Sequence, residues 1–148
     1  MPERYDVAIL GGGMGGYPAA IRASQLGLRA ALIEEDKVGG TCLHRGCIPT
    51  KALLQSASLM DQLQHADTFG VMAKGFSLDM GVAGNRRDQV VSQLHRGVEF
   101  LLKKNKVAVV RGHGRLAGAG RLAVTASNGD PMEIEAGAVI VASGSRPK

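Results

Sequence analysis

The sequence predicts an α/β fold, a doubly wound parallel sheet that carries a small antiparallel β-meander. Three observations point to it. An apolar run at residues 5–10 leads directly into the glycine cluster Gly11-Gly12-Gly13-Met14-Gly15-Gly16, and an alanine-rich helical pattern follows. Strand, glycine turn, helix and strand in that order make one βαβ half of a doubly wound sheet. Glycine is in excess, with 21 of 148 residues, about twice the usual 7%, and it follows no collagen period. Tight turns and close backbone approaches consume glycine in that quantity. Residues 138–142 form an unbroken apolar run, as expected for a strand buried on both faces.

Each element has a local reason. The helix behind the glycine cluster carries Ala19, Ala20 and Ala23. It tolerates Pro18 in its first turn, where N–H groups have no intrahelical partner, and stops at Gly27. Residues 29–33 give the second strand. Segment 39–47 holds Cys42 and Cys47, the two cysteines of the chain. Pro49 opens a second helix, with Leu53, Leu54, Ala57, Met60 and Leu63 at helical spacing. Residues 68–84 are punctuated by glycine and read as irregular. A third helix spans 86–105, where Val90, Val91, Leu94, Val98, Leu101 and Leu102 keep a 3.6-residue period. Short strands at 107–111, 115–116, 122–126 and 132–135 make the meander, and Ser143-Gly144-Ser145-Arg146-Pro147 breaks the last strand.

Length gives one domain, residues 1–148, by the usual prior of roughly 100–200 residues. The formal charge of +5 is scattered along the chain, and five aromatic residues offer little to stack bases. Nucleic-acid binding is therefore not expected. The charged N-terminus lacks the apolar stretch of a signal peptide, and no apolar run approaches the ~20 residues that span a bilayer. The expectation is a cytoplasmic protein without a membrane partner. In a reducing compartment a close cysteine pair is more often catalytic or metal-binding than structural.

Gly11, Gly13 and Gly16 satisfy G-x-G-x-x-G. The first glycine makes the tight turn, the second lets backbone approach a pyrophosphate, and the third lets helix pack closely on strand. The pyrophosphate would lie at the positive end of the following helix. The motif follows a predicted strand and opens a predicted helix, the context that gives it weight. This is a Rossmann-like arrangement. Glu34 stands at the end of the second strand, where a carboxylate accepts hydrogen bonds from ribose hydroxyls and disfavours a 2′-phosphate. FAD or NAD fits better than NADP. Against this, Glu34-Glu35-Asp36 also reads as a solvated turn.

Three readings are open for the cysteine pair. Cys42, His44 and Cys47 could ligate a metal, although three local ligands lack the spacing of a zinc knuckle, and no metal is expected. The two could be buried free thiols. They could form a redox-active disulfide. Positions five apart in a regular helix lie about 8–9 Å apart by Cα, beyond the ~7 Å limit of a disulfide. A bridge would therefore need a bent segment, for which Gly46 and Pro49 supply reasons. Arg45, Lys51 and the nearby helix N-terminus would favour a thiolate.

The text at these positions resembles the pyridine nucleotide–disulfide oxidoreductases, and within them the lipoamide-oxidising branch more than the glutathione or mercuric reductase branches. The matching blocks are Gly11 to Tyr17, Leu32-Ile33-Glu34, Gly39 to Leu43 with Gly46-Cys47-Ile48-Pro49-Thr50-Lys51-Ala52-Leu53-Leu54, and Ile140 to Pro147. The resemblance implies an FAD-binding domain in which Gly11, Gly13 and Gly16 cradle the pyrophosphate and Glu34 holds the adenosine ribose. It implies that Gly40, Thr41 and Cys42 line the FAD site. Cys42 would be the interchange thiol, Cys47 the thiol against the flavin, and Lys51 a neighbour of its N5 edge. Gly114 would contact the adenine part through its backbone amide, and Ser143, Gly144 and Ser145 would make the second FAD contact. His44-Arg45 in place of Asn-Val, Met14 in place of Pro, and Ser143 in place of Thr depart from the commoner family text. His113 reads as a backbone-turn residue, His65 and His95 as exposed helix residues, and Lys51 taken alone as a surface lysine.

The resemblance further implies a homodimeric parent enzyme that uses NAD and meets a lipoyl-bearing E2 component of 2-oxo acid dehydrogenase complexes. A second glycine-rich fold for NAD, a Gly-Asp motif and a C-terminal His-Glu pair are not found in this sequence. The chain therefore reads as the first FAD-domain segment of a longer flavin-dependent dithiol/disulfide oxidoreductase. A non-catalytic nucleotide-binding module is the alternative.

Overall fold

The computed structural model describes residues 3–145; Met1, Pro2 and the Arg146-Pro147 end of the closing motif lie outside them. The chain forms two compact units, one made of the residues up to Gly40 together with those from His95 onward, the other of Thr41–Leu94. The first unit holds β1 (Glu3–Leu10), α1 (Gly16–Gln25), β2 (Ala30–Glu34), β3 (Ala108–Gly118), β4 (Arg121–Ala126) and β5 (Pro131–Val141). The second holds α2 (Gly40–His44) from Thr41 on, α3 (Cys47–Gln64) and a 3₁₀ turn at Ala66–Phe69. The helix α4 (Met80–Lys104) contributes its residues from His95 to the first unit.

Strands pair both ways. β1 is parallel to β2, with Ile9 opposite Leu32, and to β5, with Ile9 opposite Ile140. β2 is parallel to β3, with Ile33 opposite Val110. β4 is antiparallel to both β3 and β5. The α/β content with parallel and antiparallel strands agrees with the sequence reading, but the topology differs. An open parallel sheet with a separate meander was expected; the five strands instead close into one ring.

The reason lies in three glycines. The segments 107–111 and 115–116, expected as two strands, are one strand of 11 residues that runs through Gly112 and Gly114. The segments 132–135 and 138–142 are likewise one strand that runs through Gly137. β3 pairs with β2 as far as Arg111 and with β4 from Gly112. A Cβ on Gly112 would lie 2.4 Å from the Thr125 carbonyl oxygen, and one on Gly137 would lie 3.1 Å from that of Asp6. These glycines are points of close backbone approach inside continuous strands, not strand breaks.

The ring interior is aliphatic. Ala8, Ala31, Ile33, Leu122, Val124, Ile134 and Ala136 pack there with Tyr5, and Leu10, Ala108, Val110 and Val139 lie against them. On the other face of β1 and β2, Val7, Ile9, Ala30 and Leu32 are also buried, and α1 packs on these two strands. The end of β5 departs from expectation. Ile140 is 41% exposed, because α1 covers β1 and β2 and leaves the outer face of β5 open; Val141, on the opposite face at the strand's end, is 60% exposed.

Helix ends follow local chemistry. Gly27 takes φ +84°; its N–H donates to the Ser24 carbonyl, and that of Leu28 to Ala23. This is the two-bond glycine stop that satisfies the last carbonyls of α1. The start of α4 lies six residues before the expected position 86. The Asp79 carboxylate accepts the Val82 N–H at 3.0 Å, an N-terminal cap that outweighs the helix-weakening Gly81 and Gly84.

Tyr5 offers a test of the ring. It is 8% exposed, and its hydroxyl donates to the Glu3 carboxylate. Burial first, then this hydrogen bond, push its pKa up from 10.0 to about 12. The folded chain thus keeps the phenol proton at pH values where the unfolded chain has lost it. Stability from this group is complete below pH 10 and is lost as pH rises toward 12. Urea unfolding at several pH values should show that loss, and Tyr5→Phe should flatten it relative to wild type. An unchanged slope in the variant would refute the assignment.

Candidate functional site

In the first unit the C-terminal ends of the parallel strands enclose a cleft of about 330 Å³, where ligands bind in open α/β sheets. Gly11, Glu34, Gly114, Ser143, Gly144 and Ser145 all line it. Six residues singled out from the sequence are thus brought together from four separate segments. Glu35, Gly112 and His113 line it too and were not assigned to a site. His113 lies inside β3, where the strand passes from β2 to β4; its flanking glycines read in the sequence as a break after residue 111.

The glycine loop is built from backbone contacts. The Gly11 N–H donates to the Ile33 carbonyl at 2.8 Å, and the Ala142 N–H to the Leu10 carbonyl at 2.8 Å. Gly11 has φ +103°, and a Cβ there would lie 2.3 Å from the Ala142 carbonyl oxygen. A Cβ on Gly16 would lie 1.7 Å from the Gly11 carbonyl oxygen and 3.4 Å from Ile9. Gly13 accepts the N–H groups of Gly16 and Tyr17 at 3.0 and 3.1 Å, the first turn of α1. Gly40, at φ +61°, presses its backbone on Gly13, since a Cβ there would be 2.7 Å from the Gly13 Cα. Gly11, Gly16 and Gly40 thus occupy places a side chain could not, and Gly13 is the backbone on which Gly40 presses. A bare backbone turn at a helix N-terminus, open on one side to a cleft, suits a phosphate-bearing ligand.

Glu34, half-buried at the end of β2, accepts hydrogen bonds at both oxygens. The Gly12 N–H reaches Oε2 at 2.6 Å and the Asp36 N–H reaches Oε1 at 2.9 Å. Each oxygen keeps a further lone pair for a donor in the cleft.

In the second unit Cys42 and Cys47 form a disulfide, with Cα atoms 4.7 Å apart. The bond sets aside the reading of the pair as free thiols. The expected bend is present. α2 ends at His44, and the N–H groups of Arg45 and Gly46 both donate to the Thr41 carbonyl at 2.8 Å. α3 then starts afresh at Cys47, two residues before Pro49. A Cβ on Gly46 would approach the Thr41 carbonyl oxygen to 3.3 Å, so a small residue serves the bend. Cys47 is exposed and Cys42 half-buried; Thr41 and Lys51 are exposed, with Lys51 one turn after Cys47 on α3. Residues four apart share a helix face, and the positive end of α3 favours negative charge on the Cys47 sulfur.

His65 is exposed as expected, but His95 is not. Its side chain is 20% exposed, Nδ1 lies 3.1 Å from the Val38 carbonyl, and Nε2 lies 3.6 Å from Glu99. Among the described residues no group of three His, Cys, Asp or Glu side chains is placed to hold a metal ion. No helix among them is long and apolar enough to cross a membrane.

Residues 5–148 match the family described as pyridine nucleotide-disulphide oxidoreductase. The whole chain is similar to curated proteins named dihydrolipoyl dehydrogenase. It is 47% identical to one from Bacillus subtilis (strain 168), covering 33% of that protein, and 45% identical to one from Chlamydia muridarum, covering 31%. It is 43% identical to one from Zymomonas mobilis subsp. mobilis, covering 32%. The chain spans about a third of the length of these relatives.

Proposed function

The chain belongs to the pyridine nucleotide-disulphide oxidoreductase family, and from that premise we propose that it is the FAD-binding segment of an enzyme that oxidises a dihydrolipoyl dithiol, with NAD⁺ as final acceptor. The observation that carries this reading is the Cys42–Cys47 disulfide, set in the same chain as a glycine-loop cleft.

The residues present fit the cofactor. Backbone of Gly11, Gly13 and Gly16 would hold the FAD pyrophosphate, and at Gly11 and Gly16 side chains are excluded. Glu34 would accept from the adenosine ribose, and Gly114, Ser143, Gly144 and Ser145 would complete the cleft. Gly40 supports the loop through Gly13, and Thr41 and Lys51 would contribute from the cysteine segment. When bound, FAD supplies a two-electron carrier between the dithiol and NAD⁺.

The chain's own chemistry is thiol–disulfide exchange. A substrate thiolate attacks the Cys42 sulfur, the S–S bond breaks, and Cys47 leaves as a thiolate. The second substrate thiol then attacks the mixed disulfide and releases the substrate as a cyclic disulfide. Two electrons have passed to the cysteine pair. The helix end at Cys47 and the nearby Lys51 stabilise the leaving thiolate. The partner in this reading is a lipoyl-bearing protein of a 2-oxo acid dehydrogenase complex.

The test is anaerobic treatment with dihydrolipoamide, followed by alkylation and mass spectrometry. Both Cys42 and Cys47 should be labelled after treatment and neither before. A pair that stays unlabelled with excess dithiol would overturn the redox assignment.

A further inference from the structure

Glu34 has a second task that direct recognition of a ribose does not require. Its Oε2 takes the Gly12 N–H at 2.6 Å, and its Oε1 takes the Asp36 N–H at 2.9 Å. The side chain lies flat against the loop; a Cβ on Gly12 would meet Oε2 at 3.0 Å, Cβ at 3.2 Å and Cγ at 3.3 Å of Glu34. The Gly12 carbonyl is also engaged, by the Gly39 N–H at 2.8 Å. Gly12 thus sits between the first two motif glycines with its amide donor and its carbonyl both tied to other segments.

We propose that Glu34 is a positioning residue for the glycine loop, one that holds the phosphate-facing turn in its binding shape before any ligand arrives. This rests on the nucleotide-binding reading of the cleft. A hydrogen bond to a carboxylate is about twice as strong as a neutral one, and a preorganised loop avoids an ordering cost on binding. The remaining lone pairs leave the same carboxylate free to accept from a ribose, so the two tasks coexist.

Glu34→Gln separates them. The amide keeps the shape but presents an NH₂ group to one of the two backbone donors, so one contact becomes donor against donor. Whichever way the amide turns, Gly12 loses its acceptor or that acceptor's charge, so in the ligand-free chain exchange of its amide proton should accelerate, by about tenfold or more where the acceptor is lost. Affinity should fall for ADP and also for 2′,3′-dideoxy-ADP, which has no ribose hydroxyls to offer. If only ADP loses affinity, Glu34 acts on the ribose alone and the proposal is overturned. Exchange of Gly12 unaffected by the substitution overturns it as well. If neither nucleotide binds wild type, the nucleotide reading fails, while amide exchange still decides the loop contact. Should the variant not fold, the wild-type chain decides: Gly12 must be among the slowly exchanging amides of the loop, and rapid exchange there refutes the clamp.

Discussion

Replacing Gly16 with alanine is expected to destabilise the first unit by about 3 kcal/mol or more and to abolish nucleotide binding. The added Cβ would lie 1.7 Å from the Gly11 carbonyl oxygen. That neighbour is backbone, not the tip of a flexible side chain, and it has nowhere to go. Gly11 is bonded to the Ile33 carbonyl on one side, and its own Cα faces the Ala142 carbonyl on the other. Relief would require α1 to lift from β1, which would open the contact with the buried Ile9. Gly97→Ala is the control. Gly97 lies inside α4 with nothing within 4 Å of its would-be Cβ, so alanine there should stabilise by about 0.5–1 kcal/mol through helix propensity. Urea midpoints for the two variants should move in opposite directions. A Gly16→Ala protein as stable as wild type would refute the packing account of the motif's third glycine.

This contrast explains which parts of the site were legible in the sequence. A place where two backbones touch admits only glycine, so the need for contact writes itself into the residue type at Gly11, Gly16 and Gly40. The cysteine bend is legible for a similar reason: five residues cannot be bridged along a regular helix, and Gly46 marks where the chain turns. The same logic misled at Gly112, Gly114 and Gly137. Glycine there also reports close approach, to Thr125, to Leu10 and Ile33, and to Asp6, but a strand that changes partner and a strand that ends are written with the same residue. Ring closure was therefore hidden, because it depends on β3 and β5 continuing through those points. The early start of α4 was hidden by Gly81 and Gly84, whose low propensity gives way to the Asp79 cap. The second task of Glu34 is a matter of side-chain direction, which residue order alone does not encode.

In a full-length enzyme that carries this segment, Cys42→Ser is expected to lower dihydrolipoamide turnover by about 10³-fold or more while flavin stays bound. The size follows from chemistry: an oxygen in place of the Cys42 sulfur leaves no disulfide for a substrate thiolate to attack, and no neighbouring group can substitute. The retained flavin follows from geometry. The cleft is lined by residues at the ends of β1 and β2, by Gly112–Gly114 of β3 and by the 143–145 segment. Cys47→Ser should also abolish dithiol oxidation, since either sulfur is needed for the bridge. The exposure of Cys47 and half-burial of Cys42 make a further comparison useful. In each variant one thiol remains, and its rate of alkylation reports access to that sulfur alone. If Cys42 is the thiol that meets substrate, the Cys47→Ser protein should form a mixed disulfide with an activated lipoyl probe faster than Cys42→Ser does. The reverse order would exchange the two roles without disturbing the redox assignment, whereas undiminished turnover in Cys42→Ser would remove the disulfide from the mechanism altogether.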